Sequence, residues 1–129
     1  MAIEWHDRYS LGDSDMDAQH RMLFVLVNAL LAATDKSSLT TAAANLFSHA
    51  REHFDYEESI MWRIGYPAVK THVEQHNILM AKLVNVSDMV ANYTLDIKNL
   101  ESFLSAWLFN HIETMDAQLV AYLRPVPVI

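Results

Sequence analysis

The amino-acid sequence predicts an all-α fold: an antiparallel up-down-up-down four-helix bundle preceded by an N-terminal loop arm. Three observations carry this prediction. Four segments repeat their apolar residues with a helical period. Only two Gly and three Pro interrupt 129 residues, so long helices meet few breaks. The segments are joined by short polar connections, which make consecutive helices antiparallel neighbours.

Residues 1–16 show no period and read as the arm. Gly12 and the acids around Ser14 lead toward an N-cap near Asp15 or Asp17. The first helix then carries Leu23, Leu26, Val27, Leu30 and Leu31 on one stripe, with His20 one turn before. A polar connection over 34–38 separates it from the second helix, expected over about 40–64. The inner stripe there is Leu46, Ala50, His53, Glu57, Ile60 and Ile64. Gly65-Tyr66-Pro67 closes this helix and opens the next, because Gly suits a C-terminal cap and Pro a first helical turn. The third helix, about 67–91, turns Val69, His72, Val73, His76, Leu79, Leu83, Val86 and Val90 inward. After a connection over 92–94, the fourth runs over about 96–123 with Leu100, Leu104, Trp107, His111 and Met115 inward. Pro125 and Pro127 prevent its extension. The tail, 124–129, is apolar; it either packs back or begins a linker. The sequence shows no repeat and no second domain, so one domain is expected over 1–129, with the bundle at 17–123.

Composition narrows the function. With 52% apolar and 19% charged residues, the chain is globular, not disordered. The absence of Cys excludes disulfides, thiolate zinc sites, iron–sulfur ligation and a Cys nucleophile. A net charge of −7 with scattered basic residues argues against a nucleic-acid surface. The first ten residues contain no apolar signal-like run. The longest apolar stretch, 22–33, is broken by Asn28 and is too short to span a bilayer. A soluble cytoplasmic protein without nucleic-acid or membrane partners is expected.

Seven residues do not fit a plain core. His20, His53, Glu57, His72, His76, His111 and Asp116 are metal-ligand types on stripes that periodicity turns inward. His53/Glu57 and His72/His76 are i,i+4 pairs, offset by only about 40° around a helix. Unpaired buried imidazoles and carboxylates are costly, so such groups are paired or bind metal. Seven exceed what one ion takes, about six, and so point to two. His111 and Asp116 are harder to reconcile. Five residues turn a straight helix by about 140°, so either the helix widens locally or Asp116 reaches sideways. The ligand types alone admit Fe, Zn, Mn, Cu or Ni. Imidazole outnumbers carboxylate five to two. Such neutral ligands stabilise high-valent iron less, which favours reversible dioxygen binding over oxygen activation.

The pattern resembles the hemerythrin family, and within it the bacterial hemerythrins. The resemblance is carried by Trp5, Gly12, the run Met16-Asp17-Ala18-Gln19-His20, then His53-Phe54-Asp55-Tyr56-Glu57-Glu58. It continues through Gly65-Tyr66-Pro67, His72-Val73-Glu74-Gln75-His76, Trp107-Leu108-Phe109-Asn110-His111-Ile112 and Asp116. It implies two non-heme irons, with His72, His76 and His111 on one and His20 and His53 on the other. Glu57, Asp116 and an oxo or hydroxo group would bridge them. The two-histidine iron would keep an open position for dioxygen. The family's last two ligands are also five apart, which accounts for His111 and Asp116.

The implied function is reversible dioxygen binding for transport or storage, without catalysis. The alternative is an oxygen- or redox-sensing domain with a downstream signalling domain or partner; a diiron peroxidase or an oxygen- or NO-reducing enzyme ranks below it. Leu23, Trp107 and Leu108 are candidate walls of a dry dioxygen pocket, one turn from His20 and His111. Glu58, five residues from His53, is expected to face solvent.

Overall fold

The computed structural model describes residues 3–123. The helices are α1 (Ser14–Ala32), α2 (Lys36–Ile64), α3 (Val69–Ala91), α4 (Ile97–Asn110) and α5 (Ala117–Leu123). A π-helical stretch, His111–Asp116, joins α4 to α5 without leaving helical backbone angles, so the three form one rod. A 3-10 turn, Asp7–Tyr9, lies in the arm. With no strand among the described residues, the four rods form the expected bundle. No described helix is long and apolar enough to cross a membrane. The tail, 124–129, lies outside the described residues.

Three helix starts differ from the expected positions: α3 begins at Val69, leaving Pro67 in the turn before it and not in its first helical turn, and capping side chains set the starts of α1 and α2. Asp13, not Asp15 or Asp17, caps α1, accepting from the amides of Asp15 and Met16. Asp17 is buried, and its carboxylate accepts from Ser10 Oγ and from the amides of Leu11 and Gly12. It therefore pins the arm to α1. Helix α2 begins at Lys36, about a turn before the expected start. A reciprocal capping box between Asp35 and Ser38 recruits the polar stretch into the helix. Its other end is closed by Gly65 in the left-handed region (φ 65°), which a side chain disfavours.

The arm has no period because it packs through single aromatic residues. Ile3 exchanges two backbone hydrogen bonds with the Asn28 side chain. Buried Tyr9 stacks on Phe109 at 5.0 Å and also meets Trp5 and Phe24. Arg8 lies 3.5 Å from Glu113 of the π-helical stretch.

Two apolar clusters result. The larger runs through Leu23, Phe24, Val27, Leu46, Ala50, Phe54, Leu79, Leu83, Leu104 and Leu108. A smaller one, Met16, Met61, Tyr66, Val69, Leu119 and Val120, is built from the first turn of α1, the α2–α3 corner and α5. The inward stripes are shifted from the expectation at the ends of the second and fourth rods. Met61 is fully buried while Ile60 and Ile64 are only partly so. Beyond His111 the extra residue of the π turn advances the phase. Ile112, Asp116, Leu119 and Val120 become buried, and Met115 sits half-buried.

Candidate metal centre

All seven predicted residues are buried, and five of them (His20, Glu57, His72, His76 and Asp116) have no measurable exposure. Each helical rod contributes. The i,i+4 spacings deliver His53 with Glu57 from α2 and His72 with His76 from α3. His20 comes from α1. The π turn resolves the His111–Asp116 spacing by widening the helix, so that both residues face inward.

The seven fall into two overlapping groups. Glu57, His72, His76, His111 and Asp116 can each offer a ligand atom within 4.8 Å of the others, as can His20, His53, Glu57 and Asp116. The carboxylates belong to both groups, and their oxygens divide between them. Glu57 Oε1 lies 3.0 Å from His76 Nε2 and 3.7 Å from His72 Nε2, while Oε2 lies 3.5 Å from His53 Nε2 and 3.9 Å from His20 Nε2. Asp116 Oδ1 lies 2.9 Å from His72 Nε2 and 3.0 Å from His111 Nε2, and Oδ2 lies 2.9 Å from His20 Nε2. Every imidazole thus turns Nε2 inward.

Few of these approaches are aligned as hydrogen bonds. Both Glu57 oxygens, Asp116 Oδ2 and the Nε2 atoms of His20, His53, His76 and His111 are buried without a hydrogen-bond partner. Each such group costs about 1–3 kcal/mol when nothing satisfies it. Lone-pair atoms that are close but misaligned, and that converge from four helices, are what ions held between them would satisfy. The residues fit two ions of borderline character, with imidazole and carboxylate donors and no thiolate.

The charge states without metal follow from this crowding. Burial opposes a proton on His20 and His72, but the nearby Asp116 and Glu57 carboxylates override it and raise the imidazoles to about 10 and about 9. Burial prevails at His53, which is lowered to about 4. Burial also resists ionisation of Glu57 and Asp116, yet the surrounding imidazoles hold both well below the usual carboxylate range.

Outer contacts fix the rings. His53 Nδ1 donates to the side-chain oxygen of Gln19, whose backbone carbonyl accepts from His49. His76 Nδ1 donates to Glu58 Oε2 at 2.9 Å. Glu58 therefore does not simply face solvent as expected. Its side chain is only 18% exposed, because the α3 imidazole draws it over the site. Phe54 stacks on His76 at 3.9 Å and 9°, and Trp107 on His111 at 4.4 Å and 12°. Leu23 and Leu108 are buried one turn from His20 and His111, while Trp107 also borders a surface cleft of about 440 Å³ with Gln75, Phe103 and Asn110.

Known proteins are similar to this chain in sequence and fold. The family model of the hemerythrin HHE cation binding domain matches residues 11–123. The chain is 32% identical over 126 residues to the bacteriohemerythrin of Stenotrophomonas maltophilia, spanning 88% of this chain and 76% of that protein. It is 28% identical over 114 residues to the hemerythrin-like protein of Naegleria gruberi, spanning 88% of this chain and 87% of that one. The crystal structure of wild-type hemerythrin superposes with a TM-score of 0.81 at 23% identity, covering 92% of this chain and 95% of that chain. The chain belongs to the hemerythrin family, diiron proteins that bind dioxygen.

Proposed function

We propose that this protein binds dioxygen reversibly, as a carrier or store, at two irons held by His20, His53, Glu57, His72, His76, His111 and Asp116. The observation that carries the reading is the division of each carboxylate between two unequal imidazole groups. Glu57 and Asp116 are aimed to bridge. His72, His76 and His111 complete one side more fully than His20 and His53 complete the other, which leaves the poorer side room for a small ligand. When bound, the irons supply the two electrons that dioxygen binding requires.

The chain's own contribution is burial and orientation. The carboxylates are ionised before metal arrives, and the imidazoles are turned by Gln19, Glu58, Phe54 and Trp107. Leu23, Trp107 and Leu108 keep water from the two sides of the cluster, which protects the reduced irons from loss of electrons to solvent-assisted oxidation. No acid or base beyond the seven faces the cluster's centre among the groups described, which favours binding over turnover. Leu108→Asn is expected to shorten the lifetime of the oxygenated form by admitting water; an unchanged decay of its visible band would remove Leu108 from the pocket wall.

The sensing alternative has its own support. The arm packs on the stretch that carries His111 and Asp116 through Arg8–Glu113, and on the end of α4 just before it through the Tyr9–Phe109 stack. Movement of that stretch would be felt at the arm. Limited proteolysis of reduced and air-exposed protein separates the readings: equal cleavage of the arm in both states favours a carrier, and state-dependent cleavage favours a sensor.

A further inference from the structure

We propose that Glu58 is a positioning residue that sets the donor strength of His76, and that its charge makes the three-imidazole side of the centre the more electron-rich one. The inference rests on the diiron reading with His76 as a ligand. Each side of the cluster has one imidazole whose Nδ1 meets a side-chain oxygen, and the two oxygens differ in kind. On the two-imidazole side, His53 meets the neutral amide of Gln19. On the three-imidazole side, His76 meets a carboxylate, Glu58 Oε2, at 2.9 Å.

Three contacts hold Glu58 and His76 in this arrangement. The Phe54 ring, 3.9 Å away and 9° from parallel, fixes the plane of the His76 imidazole. The Nδ1–H bond to Glu58 then selects the tautomer, directing the Nε2 lone pair toward Glu57 Oε1, 3.0 Å away. Arg51 Nη2 lies 3.8 Å from Glu58 Oε2 and 2.8 Å from Asp55 Oδ1, so Glu58 is tethered from the surface side as well. Glu58 is mostly buried, at 18% side-chain exposure, so water screens its charge poorly.

A ligating imidazole that donates its other N–H to a carboxylate is a more basic ligand, and such outer partners are worth about 10–100-fold in metal affinity. An ionised acceptor makes a stronger hydrogen bond than an amide. Negative charge passed to the ring favours ferric over ferrous iron, and this lowers the potential. Gln19 gives His53 orientation without that charge.

The test uses the full chain loaded anaerobically with ferrous iron, in wild-type, Glu58→Gln, Glu58→Ala and Gln19→Glu forms. Midpoint potential and ferrous affinity, the latter by chelator competition, are read for each. Glu58→Gln keeps an acceptor oxygen but not the charge. It should hold two irons and lose ferric preference by about tenfold, a rise of about 59 mV per one-electron couple. Glu58→Ala should in addition lose about 10–100-fold in affinity. Gln19→Glu should move the potential the other way. Helical circular dichroism checks that each variant is folded. Two irons with an unmoved potential in Glu58→Gln would overturn the inference alone. Failure of the wild-type chain to hold two irons would overturn the reading beneath it as well.

Discussion

On the side of the cluster formed by His72, His76 and His111, aromatic rings lie flat on the imidazoles, Phe54 on His76 and Trp107 on His111. On the side formed by His20 and His53, the rings meet each other edge to face at 4.9 Å, and Phe54 is tilted against His53 at 51°. The first side has a carboxylate behind one ring and the second an amide. The same two carboxylates, Glu57 and Asp116, reach both sides. One side therefore offers three imidazoles, two of them under stacked rings, and the other offers two imidazoles that are equally buried. The difference teaches how four helical rods can build an asymmetric cluster: if the proposed irons bind there, the number of imidazoles and the rings stacked on them favour firmer retention on the three-imidazole side.

Removing one imidazole from each side tests this most severely. His53→Ala should leave one iron per chain, because His20 and two carboxylates are too few to hold the second. His76→Ala should still load two at high iron, with affinity lowered by more than the ~10–100-fold that loss of an outer partner costs, because a ligand itself is removed. Metal analysis with chelator titration reads both, and equal losses in the two variants would erase the distinction between the sides.

Packing comes next. Phe54 is fully buried and touches rings on both sides, but stacks only on His76. Phe54→Ala should cost about 3–5 kcal/mol of stability in denaturant unfolding. Affinity should fall more for the three-imidazole side than for the other.

Smaller again is the loss of an outer hydrogen bond. Gln19→Ala frees His53 Nδ1 and should weaken only the two-imidazole site, by about tenfold. Selective loss of one iron during chelation would show it.

Protons give the most graded comparison. His20 and His72, raised to about 10 and about 9 without metal, are each protonated at pH 7 and sit on opposite sides. Metal requires them neutral. Loading at pH 7 should therefore release about two protons per chain, about one from each side, and affinity should rise with pH until about 9–10. The already ionised carboxylates release none. In the metal-free protein, these two groups contribute stability that is fully present below their unfolded value of about 6.5 and is lost as pH rises through about 9 and about 10. His53, lowered to about 4, works in the opposite sense: its share is lost as pH falls from about 6.5 toward 4. Proton release is read in weakly buffered solution.

The burial and convergence of the seven candidate residues were legible in the sequence because helical period is a strong signal and ligand types on an inward stripe stand out against it. The four rods were legible for the same reason. What escaped was decided by contacts that have no period. Asp13 rather than Asp15 or Asp17 caps α1 because Asp17 is drawn to three donors of the arm. The polar residues after Asp35 resemble a loop until the capping box folds them into α2. Glu58 looked solvent-facing on its own helix, and only the position of His76 on α3 reveals its partner. Met115 looked inward on a straight helix, and the π turn displaced it in favour of Asp116. The spacing of His111 and Asp116 was the one local hint of that turn.

The central claim is a diiron centre that binds dioxygen reversibly. The most direct test is metal content together with the optical spectrum of the reduced protein before air, in air, and after air is withdrawn. The account predicts two irons per chain and a visible charge-transfer band that appears with air and disappears on its removal. One zinc per chain and no visible band would contradict it.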